Sequence, residues 1–132
     1  MRYLLDTRAL LQALMDPASL GPRATKVLKT ERDVFVSAAS YWEIAVKSGL
    51  GKLKLEGLPV ADLPAHAHKL GFTSLPLDAE DTASLVDLPR RGERSDPFGR
   101  MLAWQAIRGR MTLLSADPAF AAWAEDGLKL LW

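Results

Sequence analysis

The chain has no cysteine and only two histidines in 132 residues. Disulfides and thiolate metal sites are therefore excluded, a usage that fits a reducing compartment, and the expectation is a cytoplasmic protein. His66 and His68 lie two apart in a helical stretch and cannot share a face, so they read as surface residues. There is no Ser-His-Asp arrangement, Walker loop or glycine-rich dinucleotide fingerprint. Long apolar runs are also missing, and none approaches the roughly 20 residues of a membrane span. The N-terminus enters a strand-like run at once, without a signal-peptide pattern. Charge of one sign is scarce as well: 17 Lys and Arg stand against 16 Asp and Glu, a formal net charge of +1. That balance neither announces nor excludes a nucleic-acid partner. What remains is 48% hydrophobic and 25% charged residues, the composition of an ordinary soluble globular protein. The length suits one domain, residues 1–132, with a single core.

The opening stretch organises the rest. Tyr3-Leu4-Leu5 is apolar without alternation, the pattern of a strand buried on both faces of a parallel sheet, and it stops at Asp6. Helix formers follow from Thr7 to Met15, ending at Asp16-Pro17. A second helix is expected from Pro22 to Lys29, a second strand at Val34-Phe35-Val36, and a helix from Ala38 to about Ser48 capped by Ser37. Further along, a helix is expected around Val60 to Leu70, a strand at Phe72 to Leu75, and a helix from Asp78 through Val86. Asp87 to Asp96 is polar and basic and reads as an exposed loop. Pro97 opens a helix to about Arg108, Met111 to Leu114 forms a strand, Ala119 to Trp123 a short helix, and Leu128 to Trp132 a fifth strand. Alternating strands and helices predict an α/β fold with a parallel sheet.

Three aspartates stand where chemistry could be done. Asp6 ends a strand, and in open α/β sheets ligands bind at the carboxyl ends of strands. Asp96 and Asp117 each precede a proline that opens a helix. All three are also good N-caps, and Asp78 shows the same pattern, so position by itself does not separate a catalytic acid from a cap. Glu43 differs. On a wheel of about 100° per residue it falls in a stripe with Ala39, Trp42, Val46 and Leu50. A carboxylate on such a stripe needs a cation, either a Lys or Arg partner or a bound metal. Carboxylates together suit Mg²⁺ or Mn²⁺, and two such ions about 4 Å apart can activate water and stabilise a leaving oxygen.

The residues then resemble a known family. Tyr3-Leu4-Leu5-Asp6-Thr7 with Ala9-Leu10-Leu11 resembles the start of PIN-domain ribonucleases. Ser37 through Lys47, containing Trp42-Glu43-Ile44, followed by Leu50-Gly51-Lys52-Leu53, is similar to a diagnostic stretch of VapC-type toxins. Asp96-Pro97-Phe98 with Arg100, and Leu114-Ser115-Ala116-Asp117, continue in the same order, so the likeness spans the chain. It implies a three-layer α/β/α domain around a parallel sheet of about five strands. It also implies a toxin of a type II toxin–antitoxin system, a Mg²⁺- or Mn²⁺-dependent endoribonuclease that cleaves RNA phosphodiesters by two-metal-ion catalysis. The implied partners are RNA, a cognate VapB-like antitoxin and a second copy of the chain. Asp6, Glu43 and Asp96 match the metal-binding acids, and Asp117 matches the fourth. Thr7 and Ser115 are placed to hydrogen-bond into the cluster. Asp78 matches no family acid.

The chain departs from the family pattern at Arg8 and Arg94-Ser95, near which relatives commonly carry His, and at Gly99, where they carry a second Asp. These changes lower the negative charge around the site. Arg8, Arg90, Arg91, Arg94 and Arg100 are candidate contacts to RNA phosphates. The competing expectation, motivated by Arg8 and Gly99, is a catalytically weakened module that binds RNA or antitoxin without efficient cleavage. A phosphatase using Asp6 as nucleophile would want an acid at position 8, where Arg8 stands.

Overall fold

A computed structural model describes residues 1–92 and 96–132. Five short strands form one all-parallel sheet: β1 (Tyr3–Leu5), β2 (Val34–Ser37), β3 (Thr73–Leu75), β4 (Thr112–Leu114) and β5 (Lys129–Leu131). Their spatial order is β3-β2-β1-β4-β5, so the first strand of the chain lies in the middle of the sheet. Leu5 stands beside Val36 on one side and Leu114 on the other.

The helices are α1 (Thr7–Met15), α2 (Pro22–Thr30), α3 (Ala38–Gly49), α4 (Leu63–Lys69), α5 (Ala79–Ser84) and α6 (Pro97–Gly109). Short 3₁₀ turns at Pro17–Ser19, Val60–Asp62 and Leu85–Asp87, and a longer one at Pro118–Asp126, complete the described elements. Strand residues alternate between two cores, as the pleat requires. Tyr3, Leu5, Val34, Val36 and Leu114 face Leu10, Val27, Ile44, Leu63 and Phe72. Leu4 and Leu113 face Leu102, Ala103, Ala106, Phe120 and Trp123. Each fully buried leucine contributes about 1.5–3 kcal/mol of apolar transfer free energy. Among the described residues no helix is long and apolar enough to cross a membrane.

The expected strands and helices are present, and four details differ. The helices expected from Val60 and from Asp78 each split, the first into a 3₁₀ turn and α4 and the second into α5 and the Leu85–Asp87 3₁₀ turn, and the one expected after Asp117 is 3₁₀ throughout. The segment after Asp87 is not simply an exposed loop. Leu88 is buried, Trp123 Nε1 donates to the Pro89 carbonyl at 2.9 Å, and Arg100 donates to the Leu88 carbonyl at 3.1 Å. Arg94 lies outside the described residues.

The fourth difference concerns α3. Its buried residues are Ala39, Ser40, Glu43 and Ile44, while Trp42 is 55% and Leu50 63% exposed. The inward arc is thus rotated by roughly 70° from the expected stripe, with Glu43 common to both. Trp42 instead packs edge-on against Phe98, with ring centroids 4.9 Å apart.

Candidate active site

The sheet order places a topological switch point between β1 and β4: from β1 the chain winds outward to β2 and β3, then returns to build β4 and β5 on the other side. A crevice is expected at the carboxyl ends of those strands. A pocket of about 740 Å³ opens there, and its walls include Asp6, Glu43, Asp96 and Asp117. Four acids from four distant parts of the chain therefore share one cavity. Asp78, at the end of β3, is not among the lining residues; it caps α5, its Oδ1 accepting from the Asp81 amide at 2.7 Å.

Three of the acids are held by the helices they begin. Asp6 Oδ1 accepts from the Ala9 amide at 2.7 Å. Asp96 accepts from the Phe98 amide at 3.0 Å and the Gly99 amide at 3.2 Å. Asp117 Oδ1 accepts from the Ala119 amide at 2.9 Å. Capping and pocket lining are therefore properties of the same residues. Three helix N-termini, each favouring negative charge, point their first turns at one place.

Glu43 is held by side chains. Thr7 Oγ1 lies 2.6 Å from Glu43 Oε1 and 2.9 Å from Ser40 Oγ. With one proton to give, the Thr7 hydroxyl donates to the carboxylate and accepts from Ser40. The other carboxylate oxygen, Oε2, receives the Lys47 ammonium as an ion pair. Both readings of a core-facing Glu43 thus have a physical basis here: it has a lysine partner, and it lines the acidic pocket. Lys47 was not singled out from the sequence as a site residue. The signal was its spacing, four residues after the glutamate on the same helix face.

Ser115 is buried and accepts from the Asp117 amide at 3.1 Å, so it shapes the turn that presents Asp117. Arg8 is exposed at the pocket wall, and Arg90 is exposed elsewhere on the surface. Arg91 is engaged by Asp126 at 2.6 and 2.9 Å and by Glu125 at 2.9 Å. That pairing raises the Arg91 pKa and lowers that of Asp126, mainly through the hydrogen bond between them. Arg100 stacks over the Trp123 ring at 6.0 Å and holds the Leu88 carbonyl. These two arginines therefore brace residues 88–92 against the Pro118–Asp126 turn and α6. His66 and His68 are exposed on α4.

The donor chemistry suits a hard divalent cation, since the four acids offer oxygen alone and no imidazole lines the pocket. The placement does not form a ready cage: among the described residues, no three Asp, Glu, His or Cys side chains are arranged to hold a metal ion as they stand.

Fold and site together define a three-layer α/β/α protein with an acidic pocket at the switch point of a parallel sheet. The PIN domain model matches residues 3–126, and the chain belongs to that family. A comparison with curated proteins returned no match. Three solved structures share the fold at low identity. VapBC2 from Rickettsia felis bound to a DNA fragment from its promoter is 15% identical, with a TM-score of 0.64 over 99% of this chain and 98% of that one. FitAB bound to the IR36 DNA fragment is 21% identical, with a TM-score of 0.64 over 98% and 93%. FitAcB from Neisseria gonorrhoeae is 20% identical, with a TM-score of 0.66 over 98% and 96%.

Proposed function

We propose that the chain is the toxin of a type II toxin–antitoxin system, a Mg²⁺- or Mn²⁺-dependent endoribonuclease silenced by a cognate VapB-like antitoxin. The observation that carries this reading is the gathering of Asp6, Glu43, Asp96 and Asp117 into one pocket at the switch point. PIN family membership and the likeness to the VapBC2 and Fit complexes support it. In this reading Asp6, Glu43 and Asp96 hold the metal, with Asp117 as a fourth ligand. Divalent ions bound there supply Lewis-acid activation of water and stabilisation of the leaving oxygen. Thr7 keeps the Glu43 carboxylate aimed into the pocket, Ser115 shapes the Asp117 turn, and Arg8 stands at the wall where an RNA phosphate would enter. The domain spans residues 1–132, pairs as a homodimer and acts in the cytoplasm.

The test is RNA cleavage by the purified protein with and without Mg²⁺. Cleavage that needs the ion, stops with chelator and falls at least about 100-fold in Asp6→Asn is expected, the scale of losing a metal-site carboxylate. Cleavage unchanged by either treatment overturns the mechanism.

A second reading has its own support. Arg8 adds a cation at the pocket, Gly99 adds no carboxylate, and the acids do not stand as a formed cage. A catalytically weakened module that binds RNA or antitoxin would show no Mn²⁺ uptake by calorimetry while still binding its partner.

A further inference from the structure

We propose that Lys47 is an exchange cation: its ammonium and a divalent ion compete for Oε2 of Glu43, and the displaced ammonium then contacts the backbone phosphate of bound RNA. This rests on the metal-dependent ribonuclease reading above.

The two oxygens of Glu43 are held in different ways. Oε1 is fixed by Thr7, which is backed by Ser40, both short side chains with little freedom. Oε2 is held by Lys47, whose long flexible side chain is 41% exposed against 10% for Glu43. A Glu–Lys pair four residues apart is an ordinary feature of an exposed helix. This one is set apart by its location. The inward arc of α3 is rotated so that position 47 lies among Ser40, Glu43 and Ile44, and both partners line the acidic pocket.

Lys47 therefore brings a compact positive charge to the carboxylate that a hard cation would use. A cation that takes Oε2 must break the ion pair. The freed ammonium stays tethered by its stem, with three N–H donors that suit a phosphate as a point charge. Metal and RNA binding are then coupled, because the ion pair broken by the first is replaced by a contact to the second.

The test is Mn²⁺ titration calorimetry on the full chain and on Lys47→Met, which keeps the stem and good helix propensity. Lys47→Met is expected to bind Mn²⁺ about five-fold more tightly, the fold-change for an ion pair of about 1 kcal/mol. It is expected to bind a 2′-O-methyl RNA oligonucleotide more weakly in the presence of the ion. Arg8→Met removes the same charge from the same pocket, but Arg8 makes no bond to Glu43, and it should gain less Mn²⁺ affinity. In the unmodified protein, the Lys47 ammonium resonance should move on Mg²⁺ addition while those of Lys52 and Lys54 stay. Equal Mn²⁺ affinity in the parent and Lys47→Met, an equal gain in Arg8→Met, or a stationary Lys47 resonance overturns the exchange and leaves the metal site standing. No Mn²⁺ uptake by the parent or by Lys47→Met overturns the metal-site reading itself, and the exchange with it.

Discussion

Thr7 is a small residue with a large share in the geometry. It follows the strand-ending Asp6, begins α1, and spends its one hydroxyl proton on a carboxylate 36 positions later in the chain. Thr7→Val keeps the shape and removes the donor, leaving Oε1 of a nearly buried Glu43 without it. A loss of about 1–3 kcal/mol in urea denaturation is expected, together with reduced cleavage, while Thr7→Ser should restore both. A Val variant as stable and as active as the parent would show that Lys47 alone suffices to hold Glu43.

Residues 88–92, after the Leu85–Asp87 turn, behave as an element in their own right although they form no helix or strand. Trp123 and Arg100 grip their carbonyls, and Arg91 reaches Asp126 at the end of the last 3₁₀ turn. The Asp126 pKa is lowered in the folded protein by its hydrogen bond to Arg91. Its contribution to stability is therefore present above the unfolded aspartate value of about 3.9 and is lost as pH falls through the lower folded value. Asp126→Asn should lower Tm modestly at neutral pH and converge with the parent below about pH 4, so that the acid side of its Tm-against-pH profile is flatter; a profile parallel to the parent's would remove the pair from the account. Much of this level was legible beforehand. Tyr3-Leu4-Leu5 and Val34-Phe35-Val36 read as buried strands because no polar residue interrupts them, and Ser37, Asp78 and Asp96 cap the helices expected of them. The face of α3 was misread because periodicity gives the spacing of a stripe but not which neighbours meet it; Trp42 found Phe98 at the surface instead of the core. The pairing of Arg91 with Asp126 was hidden for a similar reason, since local sequence does not show an acid 35 positions away.

At the scale of the whole molecule, metal binding and stability are linked. A divalent ion that binds the folded pocket and not the unfolded chain stabilises by mass action, by about 1.4 kcal/mol at ten times its dissociation constant. Mg²⁺ or Mn²⁺ should therefore raise Tm by a few degrees, and Asp6→Asn should abolish the rise. A Tm indifferent to divalent ions at millimolar concentration would count against the assembled site. The place of Asp6 at a strand's carboxyl end was within reach of sequence reasoning; the convergence of residues 6, 43, 96 and 117 on one cavity depends on strand order, which no local pattern contains.

The central position of β1 also has a consequence in time. β1 can pair with β2 early, but its other edge is completed by β4, more than a hundred residues later. Asp117 follows β4, and the C-terminal Trp132 forms part of the pocket wall, packed so closely against Gly21 that a Cβ there would lie 2.5 Å from the indole. Pairings this distant in sequence form late. An interrupted chain ending before β4 would carry Asp6, Glu43 and Asp96 but neither the sheet that aligns them nor the fourth acid. The pocket thus depends on residues that follow β4: a chain cut short before residue 112 lacks the strand and the turn that bring Asp117 beside Asp6.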